Sequence, residues 1–440
     1  MFENIIEQGA VQQLRDDILN RRCAPSMLFF GPLHCAKGSS ALELSRALSC
    51  ETDASWKCSC SSCERHRYLQ HDDLLVMGPR SFSAEIAAFQ GAFLQNPESL
   101  SVKLLFYRSL RKLQLRFSPV LVEDDPKIKK VAVVLQSFDE KLNELLANAQ
   151  NFDEASRTKL CNSLVKDALA LENDGLSGII TIASIRNVSS WCRLAPVGKR
   201  KMLIIENAEN MRDEGRNSLL KLLEEPPSNV SIVLTARRRE AIIPTILSRL
   251  RQYRFMKRSA ESQKEVLRRI FQAEGSSINV YLDSFLVRSA EKLQVLAALF
   301  LVSLVSAASL SLKKKGQGQM PPIFTAIEMR YAPLAESTGL KHSADGSAVI
   351  KSIVLQSGNF ENDSFSRFLK ICLDMMSELF RLASQPQNNV YNDMFKKYIN
   401  EAVTAVDVLN INAAITLEGL FYKLKGDLTS GSLSSRGFYG

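Results

Sequence analysis

The 440-residue chain contains no run of about 18 or more uncharged apolar residues, so no membrane-spanning helix is expected. Its longest apolar stretch, Leu293–Leu310, is interrupted by alanines and serines and reads as a helix packed inside a protein. The opening MFENIIEQGAVQQL is acidic and amphipathic, without the basic start and apolar centre of a secretory signal. Nine cysteines in a chain this long do not form the dense disulfide framework of a secreted domain. No internal repeat is found. These absences leave the cytoplasm as the expected compartment. Length alone suggests two to four domains at about 100–200 residues each.

The net charge of +9 admits a polyanionic partner such as DNA, and equally a solvated basic surface without a ligand. More specific information lies between Lys199 and Phe255. Three apolar runs there, Met202–Ile205, Val230–Thr235 and Gln252–Phe255, have strand length and are punctuated by polar and proline signals, so they read as buried strands. Strands covered on both faces imply a parallel α/β sheet. Leu219, Leu220, Leu222 and Leu223 give a helix between the first two runs its apolar face, and Pro226-Pro227 stops it.

Nearer the start, a helix with apolar positions Ile5, Val11, Leu14 and Ile18 precedes a strand, Ser26–Phe30. That strand runs into Gly31-Pro-Leu-His-Cys-Ala-Lys-Gly38 and a helix over Ser40–Leu48, the context of a phosphate-binding loop. The loop departs from the P-loop pattern twice. Ala36 stands where glycine lets the backbone approach phosphate, and Gly38 stands where a hydroxyl ligates magnesium. Gly31, Lys37 and the out-of-register Ser39 are the remaining contacts for a nucleotide. Two readings stay open, a degenerate nucleotide site and a tight turn that binds none.

Cys50, Cys58, Cys60 and Cys63 follow within one short polar loop, spaced C-x7-C-x-C-x2-C. Four thiolates this close can surround a tetrahedral zinc ion, and the loop has no core of its own without a crosslink. The alternatives are reduced surface cysteines and a redox role. His66 and His71 are spare ligand candidates. After a strand at Asp73–Met77, residues 80–176 read as an α-helical insertion, with helices near Leu100–Phe117, Val131–Leu146 and Leu160–Leu171. Lys103, Arg108, Arg111, Lys112 and Arg116 line the polar side of the first, and a solvated face is expected there rather than a DNA-binding one.

Asn217-Ser-Leu-Leu-Lys-Leu-Leu-Glu-Glu-Pro-Pro227 followed by Thr245-Ile-Leu-Ser-Arg249 resembles the signature of bacterial clamp-loader AAA+ subunits, the delta-prime and gamma/tau subunits of DNA polymerase III. The resemblance covers Met1–Val76, Ile179–Phe255 and, weakly, the lid and the C-terminal third. It implies an α/β AAA+ core with a parallel sheet over 1–256, a helical lid over 257–311, a linker or exposed loop over 312–348, and an all-α collar domain over 349–440. Family members carry a four-cysteine zinc module at the position of residues 50–63, usually with one more residue in each of the first two gaps. The same likeness makes His71-Asp72 a structural turn.

In this family the strand ending at Ile205 carries the Walker B acids. Glu206 keeps a carboxylate, and Asn207 cannot serve as the base. Phosphoryl transfer rests on positioning and electrostatics, so losing the base, the magnesium hydroxyl and the loop glycine together implies little turnover. Thr235 falls at the sensor-1 position, with an ordinary strand-end threonine as its alternative. Arg249 falls where family members project an arginine finger toward a neighbour's ATP, with an intramolecular ion pair as its alternative. The resemblance therefore implies a non-motor, delta-prime-like subunit. Its partners would be gamma/tau and delta subunits in a hetero-pentameric ring, the sliding clamp and primed DNA, with ATP and magnesium held by the partners and zinc by this chain. Two rival readings are a gamma/tau-like motor that hydrolyses ATP and a zinc-dependent DNA-binding protein.

Overall fold

The structure, a computed structural model, describes residues 1–123, 125–148, 152–275, 277–284, 287–315, 322–336, 345–357, 364–382, 386–407 and 411–429. The Ser/Gly-rich tail, Asn410 and the Gly/Gln centre of the Lys313–Pro322 segment lie outside them. The chain divides into two compact units, Met1–Leu286 and Val287–Gly440, so the division falls inside the segment expected to be a single lid.

In the first unit, β1 (Ser26–Phe30), β2 (Leu74–Met77), β3 (Lys201–Ile205), β4 (Val230–Ala236) and β5 (Arg251–Arg254) form one parallel sheet in the order β2-β3-β4-β1-β5. Side chains alternate across each strand, which sorts the apolar runs onto two faces. Met27, Phe29, Leu74, Val76, Met202, Ile204 and Val233 pack on one face with α1 (Gly9–Leu19) and α2 (Lys37–Ser49). Leu28, Leu75, Leu203, Ile205, Ile232 and Leu234 pack on the other. Their partners there include Ile185, Val188, Leu219, Leu222 and Leu223. The expected parallel sheet, covered on both sides, is thus present. One strand departs from expectation: β5 is an edge strand in which Tyr253 is buried while Arg251, Gln252 and Arg254 are exposed.

After α3 (Ser61–Arg67), the insertion builds α4 (Ser83–Gln95), α5 (Leu100–Gln114), the short α6 (Pro119–Val122), α7 (Pro126–Asn148) and α8 (Glu154–Ala170). Ser99 caps α5 by accepting from Val102 N, and Asp153 caps α8 by accepting from Ser156 N. Phe89, Phe93, Phe106, Phe138, Leu142, Leu164 and Leu171 form a core of their own. It is shared with Val266, Leu267, Phe271, Ile278 and Leu282 from beyond the sheet. Those come from α12 (Ala260–Val266), the following turn and α13 (Ile278–Ser284), reached after α9 (Ile182–Arg193), α10 (Asp213–Glu224) and α11 (Pro244–Leu247). Ser259 caps α12, accepting from Ser262 N at 3.0 Å.

The basic side of α5 is neither solvated nor free for DNA. Arg108 donates to the carbonyls of His66 and Arg67, Arg111 to Leu69 O, Lys103 to Leu146 O, Lys112 to the half-buried Glu85 and Arg116 to the buried Glu206. Arg108 and Arg111 cap carbonyls at the end of α3 and Arg116 reaches Glu206, so these three hold the insertion on the sheet domain, while Lys103 and Lys112 pair within the insertion. Long-range pairing of this kind replaces solvation.

The second unit is helical: α14 (Val287–Lys315), α15 (Pro322–Glu336), α16 (Gly346–Gln356), α17 (Ser364–Leu382), α18 (Pro386–Asp407) and α19 (Ala413–Thr429). Leu293–Lys314 is long and apolar enough to cross a membrane by length and composition. In this unit it is the central core helix, with Leu296, Phe300 and Leu304 packed among Phe324, Phe368, Leu369 and Phe421.

A core of its own makes the insertion sensitive to truncation. Phe138, fully buried, is expected to cost about 3–5 kcal/mol as Phe138→Ala. Val133→Ala on the same helix, 80% exposed, is expected to change stability by less than about 0.5 kcal/mol. Urea unfolding followed by circular dichroism measures both.

Candidate functional site

The carboxyl ends of β1, β3 and β4 lie side by side, because β1 pairs with β4 and β4 with β3. In a parallel α/β sheet that crevice is where ligands bind. It gathers the loop Gly31–Gly38, Glu206 and Asn207 after β3, and Thr235 near the end of β4. Gly31 leaves β1 with φ +153°, and a Cβ there would stand 2.2 Å from Phe255 O, so only glycine passes.

The loop ends in a strained residue. Ala36, the N-cap of α2, has φ 72° and ψ 22°, the left-handed region that glycine occupies without cost. The backbone keeps the P-loop turn although the side chain opposes it. Lys37 folds back into the loop, with Nζ 2.5 Å from Gly31 O and 2.6 Å from Pro32 O. Burial lowers the Lys37 ammonium from its ordinary value. Ser39 is exposed on the first turn of α2.

Glu206 is engaged by the insertion. Its Oε1 lies 3.3 Å from Arg80 Nη1, and its Oε2 accepts from Arg116 Nη2. A Cβ built on Gly38 would meet Glu206 Oε1 at 2.5 Å, so the carboxylate fills the space that a Ser or Thr side chain would need. Arg80 also pairs with Glu85, which in turn accepts from Lys112. The Arg116 guanidinium lies over the Phe82 ring, at 5.5 Å from its centre. Burial opposes ionisation of Glu206, but Arg80 and Arg116 outweigh it and hold the carboxyl below its ordinary range. Glu85 is held at about 2 in the same way: burial acts against it and Arg80 and Lys112 prevail.

Asn207 sits at φ 50°, a left-handed turn that asparagine tolerates well. Its Nδ2 donates to Pro79 O at 2.7 Å, and its backbone N–H donates to Thr235 Oγ1 at 3.1 Å. Thr235 is thereby committed to the turn between β3 and its follower.

Arg249 lies apart from this cluster, on the surface after α11. Its Nη2 is 2.6 Å from Glu224 Oε1 at the end of α10, and its Nη1 is 2.6 Å from Thr245 O. The side chain is one-third exposed. In the isolated chain the intramolecular ion pair exists, and both partners stand at the surface.

The four cysteines converge. The Sγ atoms of Cys50, Cys58, Cys60 and Cys63 all lie within 4.8 Å of one another, with Cys50 at 3.6 Å from Cys58 and 3.9 Å from Cys60. A tetrahedral zinc with Zn–S of about 2.3 Å separates its sulfurs by about 3.8 Å, so the donor set fits despite the shortened spacing. Burial opposes the Cys50 thiolate, but hydrogen bonds from Thr52 and Ala54 outweigh it and bring the thiol to about 6. His66 and His71 are not among the ligands. Their rings stack at 4.2 Å, and His71 Nε2 meets Ser62 Oγ at 3.2 Å, so the turn at His71-Asp72 is structural.

Sequence reasoning missed Arg80, Arg116 and Glu224 as partners of the site residues. They lie 126, 90 and 25 positions from the groups they bind, distances at which no periodicity links them.

The backbone and space at the loop predict opposite effects of two substitutions. Ala36→Gly relieves the left-handed strain and is expected to stabilise the first unit by about 1 kcal/mol. Gly38→Ser drives a side chain into Glu206 and is expected to destabilise it. Thermal melts of the two variants check the signs. The ion-paired carboxylates of Glu85 and Glu206 also fix a pH dependence. Their folded values are depressed, so the stability they contribute is complete above their ordinary value of 4.5. It is lost as the pH falls from there toward about 2. Urea midpoints across that range are expected to fall less steeply in Glu85→Gln.

The sequence profile of the family described as "DNA polymerase III, delta subunit" matches residues 6–149 and 146–259, with the break inside the insertion. The chain is 30% identical over 110 residues to DNA polymerase III subunit gamma/tau of Mycobacterium tuberculosis, covering 25% of this chain and 18% of that protein. It is 33% identical over 90 residues to replication factor C small subunit 1 of Pyrobaculum arsenaticum, covering 20% and 27%. With DNA polymerase III subunit delta' of Pseudomonas aeruginosa it shares 32% over 84 residues, covering 19% and 26%. The matched region thus spans only about a fifth to a quarter of these relatives' lengths. Among solved structures, a gamma subunit-related protein from Thermotoga maritima aligns with TM-score 0.27 and 18% identity, covering 58% of this chain and 82% of that one.

Proposed function

The chain belongs to the DNA polymerase III delta-subunit family, and with it to the clamp-loader AAA+ proteins, and from that membership we propose that it is a non-motor subunit of the delta-prime kind. It stands beside gamma/tau and delta subunits in a hetero-pentameric ring in the cytoplasm. There it supports ATP-driven loading of the sliding clamp onto primed DNA. Its partners hold ATP and magnesium, and Arg249 reaches a neighbour's ATP. Its own contribution to the ring is a rigid core and that one guanidinium.

The observation that carries this reading is the Arg80–Glu206–Arg116 cluster against Gly38. In a working site the acid after β3 helps hold magnesium beside a loop hydroxyl. Here two guanidiniums neutralise Glu206, and its carboxylate takes the room of that hydroxyl. The retained Lys37 is bound to its own loop. A gamma/tau-like motor would need all three arrangements undone. Arg249, in contrast, is tied only by surface contacts. An exposed ion pair contributes about 0–1 kcal/mol, so a neighbour's phosphate can take the guanidinium from Glu224 at small cost.

We assign the four cysteines to one structural zinc. Bound there, the ion would crosslink a loop whose small buried cluster consists mainly of the cysteines themselves, with Ala47 and Ala54.

The reading is tested by reconstitution with motor subunits, clamp and primed DNA. Arg249→Ala is expected to leave complex assembly intact and to slow hydrolysis at the neighbouring site by on the order of 10³-fold, with clamp loading falling accordingly. Glu224→Ala, which frees Arg249, is expected to keep loading. Unchanged loading in Arg249→Ala refutes the role in trans. ATP turnover by the isolated chain that Lys37→Ala abolishes would refute the non-motor assignment.

A further inference from the structure

Helix α2 begins at the loop lysine and ends at Ser49, one residue before Cys50. Its last turn carries Arg46, which is 3% exposed and directs its guanidinium into the cysteine cluster. Nη1 lies 3.0 Å from Cys63 Sγ and 3.1 Å from Ser55 O, and Nη2 lies 3.0 Å from Ala54 O. Glu43 holds the other side of the fork, at 2.9 Å from Nε and 2.7 Å from Nη2, and itself accepts from Phe2 N at 3.1 Å.

Each sulfur has a hydrogen-bonding neighbour. Cys50 accepts from the backbone of Thr52 and Ala54, Cys58 meets Thr52 Oγ1 at 2.9 Å, Cys60 accepts from Cys63 N, and Cys63 accepts from Arg46. Among the described donors to these sulfurs, Arg46 alone carries a formal charge. It also alone comes from the core helix rather than from the cysteine loop or its short helix. Four thiolates around a divalent zinc carry a net charge of −2, and a buried net charge needs compensation from hydrogen bonds and opposite charge. Partners in the outer shell also set ligand orientation.

We infer that Arg46 is the positioning residue of a four-thiolate zinc centre. It donates to the Cys63 thiolate, offsets part of the centre's negative charge, and fixes the loop between Cys50 and Cys58 through Ala54 and Ser55. The inference rests on the zinc reading above. It makes the metal centre an extension of α2 rather than a loop appended to it.

The test uses the full chain as wild type, Arg46→Met, Arg46→Lys and Glu43→Gln. Zinc affinity is read by competition with a chromophoric chelator, and the ligand field by the thiolate-to-cobalt absorption after substitution with Co²⁺. Arg46→Met is expected to bind zinc about 10–100-fold more weakly and to shift the cobalt bands. Arg46→Lys, which keeps the charge without the fork, is expected to recover part of the loss. Glu43→Gln, which leaves the arginine charge to the sulfurs, is expected to bind at least as tightly as wild type. A folded Arg46→Met with affinity within about twofold of wild type overturns the inference. Should that variant not fold, wild-type affinity and bands in Arg46→Lys overturn it. Wild type that takes up neither zinc nor Co²⁺ overturns the zinc reading itself, so the two failures are distinguishable.

Discussion

A carboxylate buried at the end of β3 cannot stand uncompensated, since removing one charge from water costs several kcal/mol even after relaxation. Glu206 is such a group, and its counter-charges come from two places that the chain visits much earlier. Arg80 follows β2, and Arg116 ends the first long helix region of the insertion. Neutralising that side chain thus joins the α3 carbonyl contacts of Arg108 and Arg111 in docking nearly a hundred inserted residues onto the sheet domain. It also determines what the crevice can accommodate, because the carboxylate is drawn against Gly38. Packing in the insertion then makes the arrangement rigid: Phe82, beneath the Arg116 guanidinium, belongs to the same core as Phe89, Phe106 and Phe138.

Four strands of the sheet were legible in the sequence because they are continuous apolar runs, β1 to the residue, whereas β5 buries only Tyr253 and is no such run. The helix over Leu219–Leu223 and its stop at Pro226 were legible for the same local reasons. The cysteines announced themselves by proximity alone. Other features depend on contacts between distant residues and left no local trace. The cations of α5 looked like a solvated face, since five basic residues on one side of a helix read as surface until their carbonyl and glutamate partners are known. Helix α4 was missed because its alanines and central glycine blur the apolar period, although Ile86, Phe89 and Phe93 are buried. The division after Leu286 was unreadable because α14 is apolar on most of its surface and its partners lie far along the chain.

Two chemically distinct sites share one helix. The N-terminus of α2 bears Ala36 and Lys37, and its C-terminus leads into Cys50, about 20 Å away at 1.5 Å per residue. Between them, Ala41 and Leu44 anchor the helix to the sheet beside Met27 and Phe29. The loop end has become self-satisfied: its lysine is bound by carbonyls and its acid by arginines. The cysteine end retains a complete donor set. Family membership explains the common scaffold, while these particular side chains set what each end presents: a lysine and an acid already paired at one, four converging sulfurs at the other.

The edge strand β5 has a consequence for how this protein meets other chains. An unpaired strand edge invites another strand, and short, charged edges resist such pairing. Here the edge is four residues long and exposes Arg251, Gln252 and Arg254, with only Tyr253 turned inward. A second copy approaching strand to strand would bring arginine against arginine and have little backbone to pair with. The sheet therefore resists growing by strand addition or nucleating aggregates at this side.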